Sequence, residues 1–437
     1  MNAKRVALAA LVAWGLSPYL ASAQQGGLNK DAQVEIAQIM RDAHDEVKKH
    51  YYDPKLHGID WDARYKEYAA KAAGAHDLGQ AFRAIAAFLG GLDDSHVTFI
   101  PPSRRARYDS GYKLDVVGND CFVTQLRPKS DAESKLHIGD QVVTLNGFNV
   151  NRADFHDMSY FFNVLSPLTA TQFGVRSPDG NTRTVVVNHA TKPGQPITDL
   201  TSWTDYTKLV IQEQNEDHAA RSRIVEEGDV AIWKLQQFDL DLMEIDHFVG
   251  IARKHKALVL DLRGNGGGSV ETLKLLVSFL FDHEVKIANR VGRKETKDLT
   301  AKNQGKPFAG KLIVLVDARS ASAAEMFARV VQLEHRGTVI GDKTAGAVME
   351  ARFYDESLGN DVQIFYGFEI TDANVIMSDG KSLEKVGVTP DEVVLPTGAD
   401  LSTGRDPVMV RAVSLAGGTI DADRAGKVFP FEWAPFL

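Results

Sequence analysis

The chain has a single cysteine in 437 residues. Cys121 cannot close an internal disulfide, even in an oxidising compartment, so the fold must be held by its core. Flanked by Phe122 and Val123, it reads as a small buried hydrophobe and not as a reactive thiol. Metal-ligand spacing is missing as well. No HExxH occurs, and His283, between Asp282 and Glu284, has no further ligand at helical spacing. No metal or cofactor is therefore expected. There is no basic surplus: 50 Lys and Arg stand against 58 Asp and Glu, a net charge of −8. Nucleic acid is excluded as the main partner, because nothing in that balance would neutralise its phosphates. Blocks of like charge, internal repeats and low-complexity tracts are absent. Beyond the first residues no apolar run is long enough to span a bilayer.

Two nucleotide signatures also fail. In Leu260–Gly268, LDLRGNGGG, the glycine-rich run ends at Ser269, where a dinucleotide fingerprint needs its last glycine. Gly305-Lys306 is followed by Pro307, and Thr300 occupies the place of the first glycine of a P-loop.

What is present begins with a basic n-region, Lys4 and Arg5. An apolar stretch, Val6–Leu16, follows, too short to cross a bilayer, and then the small-residue site Ala21-Ser22-Ala23. This pattern predicts a signal peptide over 1–23 with Gln24 as the first mature residue, and so a periplasmic or secreted protein. No cysteine stands at the cut, which argues against a lipid anchor. The whole chain is 44% hydrophobic and 25% charged, an ordinary globular composition with room for two or three domains.

Residues 24–105 read as a helical domain. Ile36, Ile39, Met40, Ala43, Val47 and Tyr51 recur at mostly three- and four-residue intervals. Asp53-Pro54 stops that helix, Asp60 caps a second, and Phe82–Leu92 marks a third. Residues 106–192 read as a β-rich module with one helix near Ala153–Phe162. Its strands are expected at Cys121–Gln125, Gln141–Leu145, Gln172–Arg176 and Thr182–Val187, with turns at Gly139-Asp140 and Asn146-Gly147. Lys192–Pro196 reads as a linker. Residues 193–437 alternate strand and helix, which predicts an α/β core with helices covering the strands.

Four segments carry chemistry. In Lys311–Leu333 an apolar strand breaks at Asp317-Ala318-Arg319 and becomes a helix with Met326, Phe327, Val330 and Leu333 on one side. A serine at that turn, Ser322, has an exposed hydroxyl at the positive end of a helix dipole beside free N–H groups, as a nucleophile with an oxyanion hole requires. Ser320 and Ser322 could equally be plain helix caps. Ser320 and Ala324 stand where an α/β-hydrolase elbow has its glycines, so that motif does not apply. The LDLRGNGGG loop brings a bare backbone close to a ligand and offers N–H groups to an anion. Asp93-Asp94-Ser95-His96 supplies a histidine, the usual general base near neutral pH. Ser382–Asp391 supplies a carboxylate, Glu384, next to a Gly/Pro turn, where it can orient a histidine or merely face solvent. Glu325, one turn into the helix after Ser322, reads as structural or as a complement to the helix dipole.

Taken together, these segments resemble the serine peptidases that include the C-terminal-processing (tail-specific) proteases, tricorn protease and the interphotoreceptor retinoid-binding protein modules. DLRGNGGG, SASAAE, Gly341–Val348 (GDKTAGAV) and Glu384–Asp391 (EKVGVTPD) follow the family's order. The β-rich module resembles a PDZ domain, and the helical start ending in DDSHV resembles the family's N-terminal region. The resemblance implies a crotonase-like (ClpP-like) α/β core with an N-terminal helical bundle and an inserted PDZ-like domain. It departs from the tail-specific members at one place: their catalytic lysine position is occupied by Ala347, and Lys343, before Thr344, does not match. The sequence is more similar to the tricorn-like branch. That likeness implies Ser322 as nucleophile, His96 as base, Ser95 and Glu384 as its support, and Ala323 with Gly267 or Gly268 as the oxyanion hole. The implied substrate is an extended polypeptide, with a homo-oligomer or an adaptor protein as further partners. A non-catalytic binding protein on the same fold, or an esterase, remains an alternative expectation.

Overall fold

The computed structural model describes residues 28–104, 106–194, 222–359 and 363–433. The expected signal peptide lies outside the described residues.

Three helices open the fold: α1 (Lys30–His50), α2 (Trp61–Ala73) and α3 (Leu78–Leu89). Each starts on a side-chain cap, Asn29, Asp60 and Asp77, which accepts from an otherwise orphaned N–H. α1 buries Ile36, Ile39, Met40, Ala43 and Val47, the stripe its periodicity predicts. After a one-turn Gly90–Leu92 helix, Asp93 takes a left-handed conformation (φ 53°) and turns the chain out of the bundle. Strand β1 (Thr98–Ile100) follows directly.

β2 (Ala106–Asp109) leads into the inserted module, made of β3 (Tyr112–Val117), β4 (Asp120–Leu126), β5 (Gln141–Leu145), β6 (Phe148–Asn149), α4 (Arg152–Tyr160), β7 (Ala170–Arg176) and β8 (Thr182–Asn188). Its sheet runs β3-β4-β5-β7-β8, with β6 paired to β5, around Cys121, Val123, Val142 and Phe173. β9 (Ala190–Pro193) then pairs antiparallel with β2, Ala106 opposite Pro193. The linker expected over Lys192–Pro196 therefore begins as strand: Lys192 and Pro193 complete this ribbon, because the module's exit strand needs a partner and finds it in the entry strand.

The last part contains β10 (Arg223–Glu227), β11 (Val230–Lys234), α5 (Leu242–Ala252), β12 (Ala257–Asp261), α6 (Val270–Leu280), β13 (Val285–Gly292), β14 (Thr296–Ala301), β15 (Lys311–Val316), α7 (Ala323–Leu333), β16 (Gly337–Gly341), β17 (Met349–Leu358), β18 (Ile364–Met377), β19 (Glu392–Val393), α8 (Gly398–Thr403) and α9 (Pro407–Leu415). One sheet runs β10-β11-β12-β15-β16-β19, parallel except at β10. Both its faces are apolar, as parallel sheets require. Trp233, Leu258, Leu260 and Val314 pack with α5, α6 and α7. Ile232, Val259, Ile313 and Leu315 pack under α9. A second, antiparallel sheet, β1-β18-β13-β14 with β17 on β18, joins the helical bundle to this core. Phe99 pairs with Phe368 across β1 and β18, and both are fully buried. The fold is thus mixed α/β, with the helical start stitched to the core by strand β1.

Candidate active site

The site forms where β12 and β15 end. After Val316, Asp317 organises a tight turn: its Oδ1 accepts from the N–H groups of Gly264 (2.9 Å), Arg319 (3.0 Å) and Ser320 (3.0 Å). Ser320 is fully buried and its hydroxyl donates to the Leu262 carbonyl (2.8 Å), so it locks the two strand ends together and does not cap the helix. The Ala321 N–H donates to the Asn265 carbonyl (2.9 Å). Ser322 then sits at φ 52°, ψ −118°, immediately before α7. That conformation is costly for a residue with a Cβ, about 1–3 kcal/mol, and persists only where the surroundings over-determine it.

The surroundings do so from two sides. On one, the glycine loop crosses behind the serine: a Cβ on Gly267 (φ +104°) would lie 2.6 Å from the Ser322 Cβ and 3.1 Å from the Ala323 nitrogen. Only glycine fits there. Of the two glycines expected to donate to an oxyanion, Gly267 already gives its N–H to the buried Asn265 Oδ1 (2.8 Å). On the other side, the Ser322 N–H donates to the Ala347 carbonyl (2.8 Å) and to Glu325 Oε2 (3.1 Å).

Of the two readings of Glu325, the hydrogen bonds favour the structural one. Glu325 is fully buried and also accepts from the Thr344 hydroxyl (2.5 Å) and the N–H groups of Gly346 (2.8 Å) and Ala347 (2.9 Å). Burial pushes its carboxyl up, to about 7, against the pull of these donors. The sequence signal was the three-residue Ser-to-Glu spacing of a capping box. Its partners, twenty residues downstream, were not visible there.

The helical region enters through the segment ahead of β1. Glu384 Oε1 accepts from the Ser95 N–H (3.0 Å), and its Oε2 accepts from the Ser95 hydroxyl (2.8 Å) and the Val348 N–H (2.9 Å). The Ser95 oxygen lies 2.8 Å from His96 Nδ1. A hydroxyl has one proton. With that proton given to the carboxylate, Ser95 must accept from Nδ1–H, which leaves the Nε2 lone pair available. Burial lowers the His96 pKa; Asp94 opposes this, while Lys385 and His156 add to it. The imidazole is therefore neutral at neutral pH. Burial raises the Glu384 carboxyl, offset by its bond from Ser95.

The structure thus gathers Ser95, His96 and Glu384 into one hydrogen-bonded chain. Val348, held by Glu384, is next to Ala347, whose carbonyl holds Ser322, and Ala323 and Gly267 lie against that serine. The Lys343 side chain is exposed to solvent. Cys121 is buried, and burial pushes its thiol far up. His283 is half-exposed, between Asp282 and Glu334, and no described residues form a cluster able to hold a metal ion. The inserted module rests on the same loop. Arg152 bonds Asp342 Oδ2 (3.0 Å) and the Thr344 carbonyl (3.3 Å), the Gly118 N–H donates to Asp342 (2.8 Å), and Arg319 pairs with Asp115 (3.1 Å).

Comparison with known proteins matches residues 229–394 to Peptidase family S41 and residues 32–77 to the tricorn protease C1 domain. The chain is 26% identical to the chloroplastic C-terminal processing peptidase of Tetradesmus obliquus, over 80% of this chain and 76% of that one. It is 25% identical to a carboxyl-terminal-processing protease of Picosynechococcus, over 80% of each. The tail-specific protease of Haemophilus influenzae is matched at 26% identity over 58% of this chain and 36% of its own length. Among solved structures, mature CPAF superposes with a TM-score of 0.63 at 16% identity, covering 85% of this chain and 95% of that one. The photosystem II D1 C-terminal processing protease does so with 0.51 at 19% identity, covering 89% and 98%.

Proposed function

Because the chain is a serine-type peptidase with a Peptidase family S41 domain over residues 229–394, we propose that it cleaves extended polypeptides through an acyl-enzyme on Ser322 with His96 as general base. The observation that carries this reading is the continuous path Glu384–Ser95–His96, tied through Val348 and Ala347 to the strained serine. His96 Nε2 takes the Ser322 proton as the oxygen bonds to the scissile carbonyl carbon. The oxyanion that forms is met by the N–H groups of Ala323 and Gly268, each donor worth about 3 kcal/mol in the transition state. Collapse breaks the C–N bond, and His96 returns its proton to the leaving amine. Water, deprotonated by the same imidazole, then releases the acid. Ala347, where a lysine would act in tail-specific relatives, cannot serve as base. The leader-like residues 4–23 support export to the periplasm or the outside, checked by the N-terminal sequence of the mature protein.

A fluorophosphonate probe tests the assignment. Wild type labels at Ser322 and Ser322→Ala does not. His96→Ala abolishes labelling and peptide turnover, whereas Lys343→Ala keeps most of both. An active His96→Ala with a dead Lys343→Ala overturns the choice of base. Because burial lowers the pKa of His96, the rising limb of kcat/KM lies below the ordinary histidine value of about 6.5.

A further inference from the structure

We propose that Asp94 is a positioning residue for His96: its carboxylate fixes the backbone that carries the imidazole and supplies, besides Glu384, a second negative charge for the imidazolium formed during acyl transfer. The proposal rests on the reading of Ser322 and His96 as nucleophile and base.

Asp94 stands two residues before His96, and its Oδ1 accepts the His96 N–H (2.9 Å). Alone, that is an ordinary turn made by an aspartate. Two remote elements go beyond it. The Thr371 hydroxyl, from the middle of β18, donates to Oδ1 (2.7 Å), and the Tyr51 hydroxyl, at the end of α1, donates to Oδ2 (3.0 Å). Both donors are fully buried. The carboxylate is thereby gripped from the bundle, from the sheet and from its own loop, and it cannot rotate without breaking one of these bonds.

A second layer holds the grip. Burial and the neighbouring Asp94 push the Tyr51 phenol far above its ordinary value, so it remains a donor. The Tyr52 N–H donates to the Thr371 carbonyl (3.0 Å), and the Tyr52 hydroxyl lies 3.1 Å from His57 Nε2. His57 reaches that place through left-handed backbone at Leu56 (φ 49°) and His57 (φ 55°), with Asp53 accepting the His57 N–H (2.8 Å). Backbone strain stored next to a catalytic loop is where such strain concentrates.

The charges facing His96 make Asp94 the counterweight. Lys385, from the Glu384 loop, and His156, from α4 of the inserted module, both disfavour a proton on the imidazole, as does burial; Asp94 favours it. Lys385 itself lies 3.6 Å from Asp93 and 3.9 Å from Glu384. Glu384 meets the ring through the Ser95 hydroxyl.

The test is the pH dependence of the rate at which the probe labels Ser322. Asp94→Asn keeps the shape and removes the charge. Its rising limb moves to lower pH by about half a pH unit or more, and its plateau rate falls roughly tenfold or further. Asp94→Glu restores the limb to its wild-type position. An unshifted limb in Asp94→Asn overturns the proposal, whatever the plateau. If Asp94→Asn does not fold, Asp94→Glu decides: a plateau lowered roughly tenfold by the added methylene supports positioning, and a wild-type plateau overturns it. Failure of the underlying reading is separate and visible first, as wild-type labelling in His96→Ala or none at Ser322 in the wild type.

Discussion

A carboxyl group enclosed by protein must either find donors or keep its proton, and Glu325 does some of both. Its four donors draw Ser322, Thr344, Gly346 and Ala347 around one side chain. Its carboxyl is raised to about 7 in the folded chain against an ordinary 4.5. The folded state therefore binds more protons than the unfolded one between these values. The stability this confers is complete below about pH 4.5 and is lost as the pH rises through about 7, amounting to up to about 3 kcal/mol. Melting curves of wild type and Glu325→Gln at pH 5 and pH 8 check it: the wild type loses more stability on the way up, and the glutamine variant lacks that component. Gly267 makes a second prediction at this scale. Gly267→Ala places a methyl 2.6 Å from the Ser322 Cβ on a left-handed backbone. Labelling of Ser322 falls roughly a hundredfold, since the serine proposed as nucleophile must shift to make room. A variant that labels at the wild-type rate would remove Gly267 from the determinants of the turn at Ser322.

At the scale of elements, the turn between β15 and α7 carries Ser322 and the short strand β1 anchors the segment carrying His96, the proposed nucleophile and base. β1 is three residues long, yet its Phe99 is fully buried and packs edge-on against Phe82 at 5.5 Å between centroids and near Phe368 at 5.8 Å. His96 lies three residues upstream. Phe99→Ala costs about 3–5 kcal/mol in chemical denaturation and lowers labelling of Ser322 by more than the unfolded fraction explains, because the histidine loses its anchor. These elements also mark how far the sequence could be read. The helices α1 and α2, the strands β5 and β15 and the turn at Ser322 rest on local periodicity, caps and glycine punctuation, and they stand within a residue or two of where those signals put them, whereas α3 starts four residues before the Phe82–Leu92 stripe because Asp77 caps it, and ends three residues sooner. The antiparallel sheet of β1, β13, β14, β17 and β18 was not legible. Its strands carry charged residues such as Arg290, Glu350, Arg352 and Asp372, which pair with each other across strands and blur any alternation. The site divides the same way. The strand–turn–helix at Ser322 and the glycine loop show in the local pattern, whereas His96 and Glu384, each uninformative alone, are joined to them only by the family resemblance. The roles of Glu325 and Asp94 depend on partners such as Thr371, brought in from 277 positions away, and only the fold supplies those.

Over the whole molecule, the inserted module and the α/β core meet at the loop that holds the site. Arg152 and Asp342 are both largely buried, at 22% and 12% side-chain exposure, and the arginine also bonds the Thr344 carbonyl and that of Lys343. Removing it loosens the loop that fixes Ser322 without touching either core. In Arg152→Ala the labelling rate falls severalfold, hydrogen exchange at Gly118 and over 343–347 accelerates, and the melting temperature drops by only a few degrees, corresponding to about 1–2 kcal/mol. A variant with unchanged exchange there would show that the module merely rests on the core.

The ribbon of β2 and β9 has one more consequence. The inserted module leaves and rejoins the chain through two strands lying side by side, Asp109 opposite Ala190. The stalk is the module's covalent attachment; through space it is also held by Arg152 and Gly118 on Asp342, by Asp115 on Arg319, and by Phe161 and Leu165, which are buried in the core of the helical bundle. Excision at Asp109 and Ala190 would therefore leave both core sheets paired but uncover the bundle around Phe82 and release the 342–344 loop, so such an attachment is easy to splice and costly to lose.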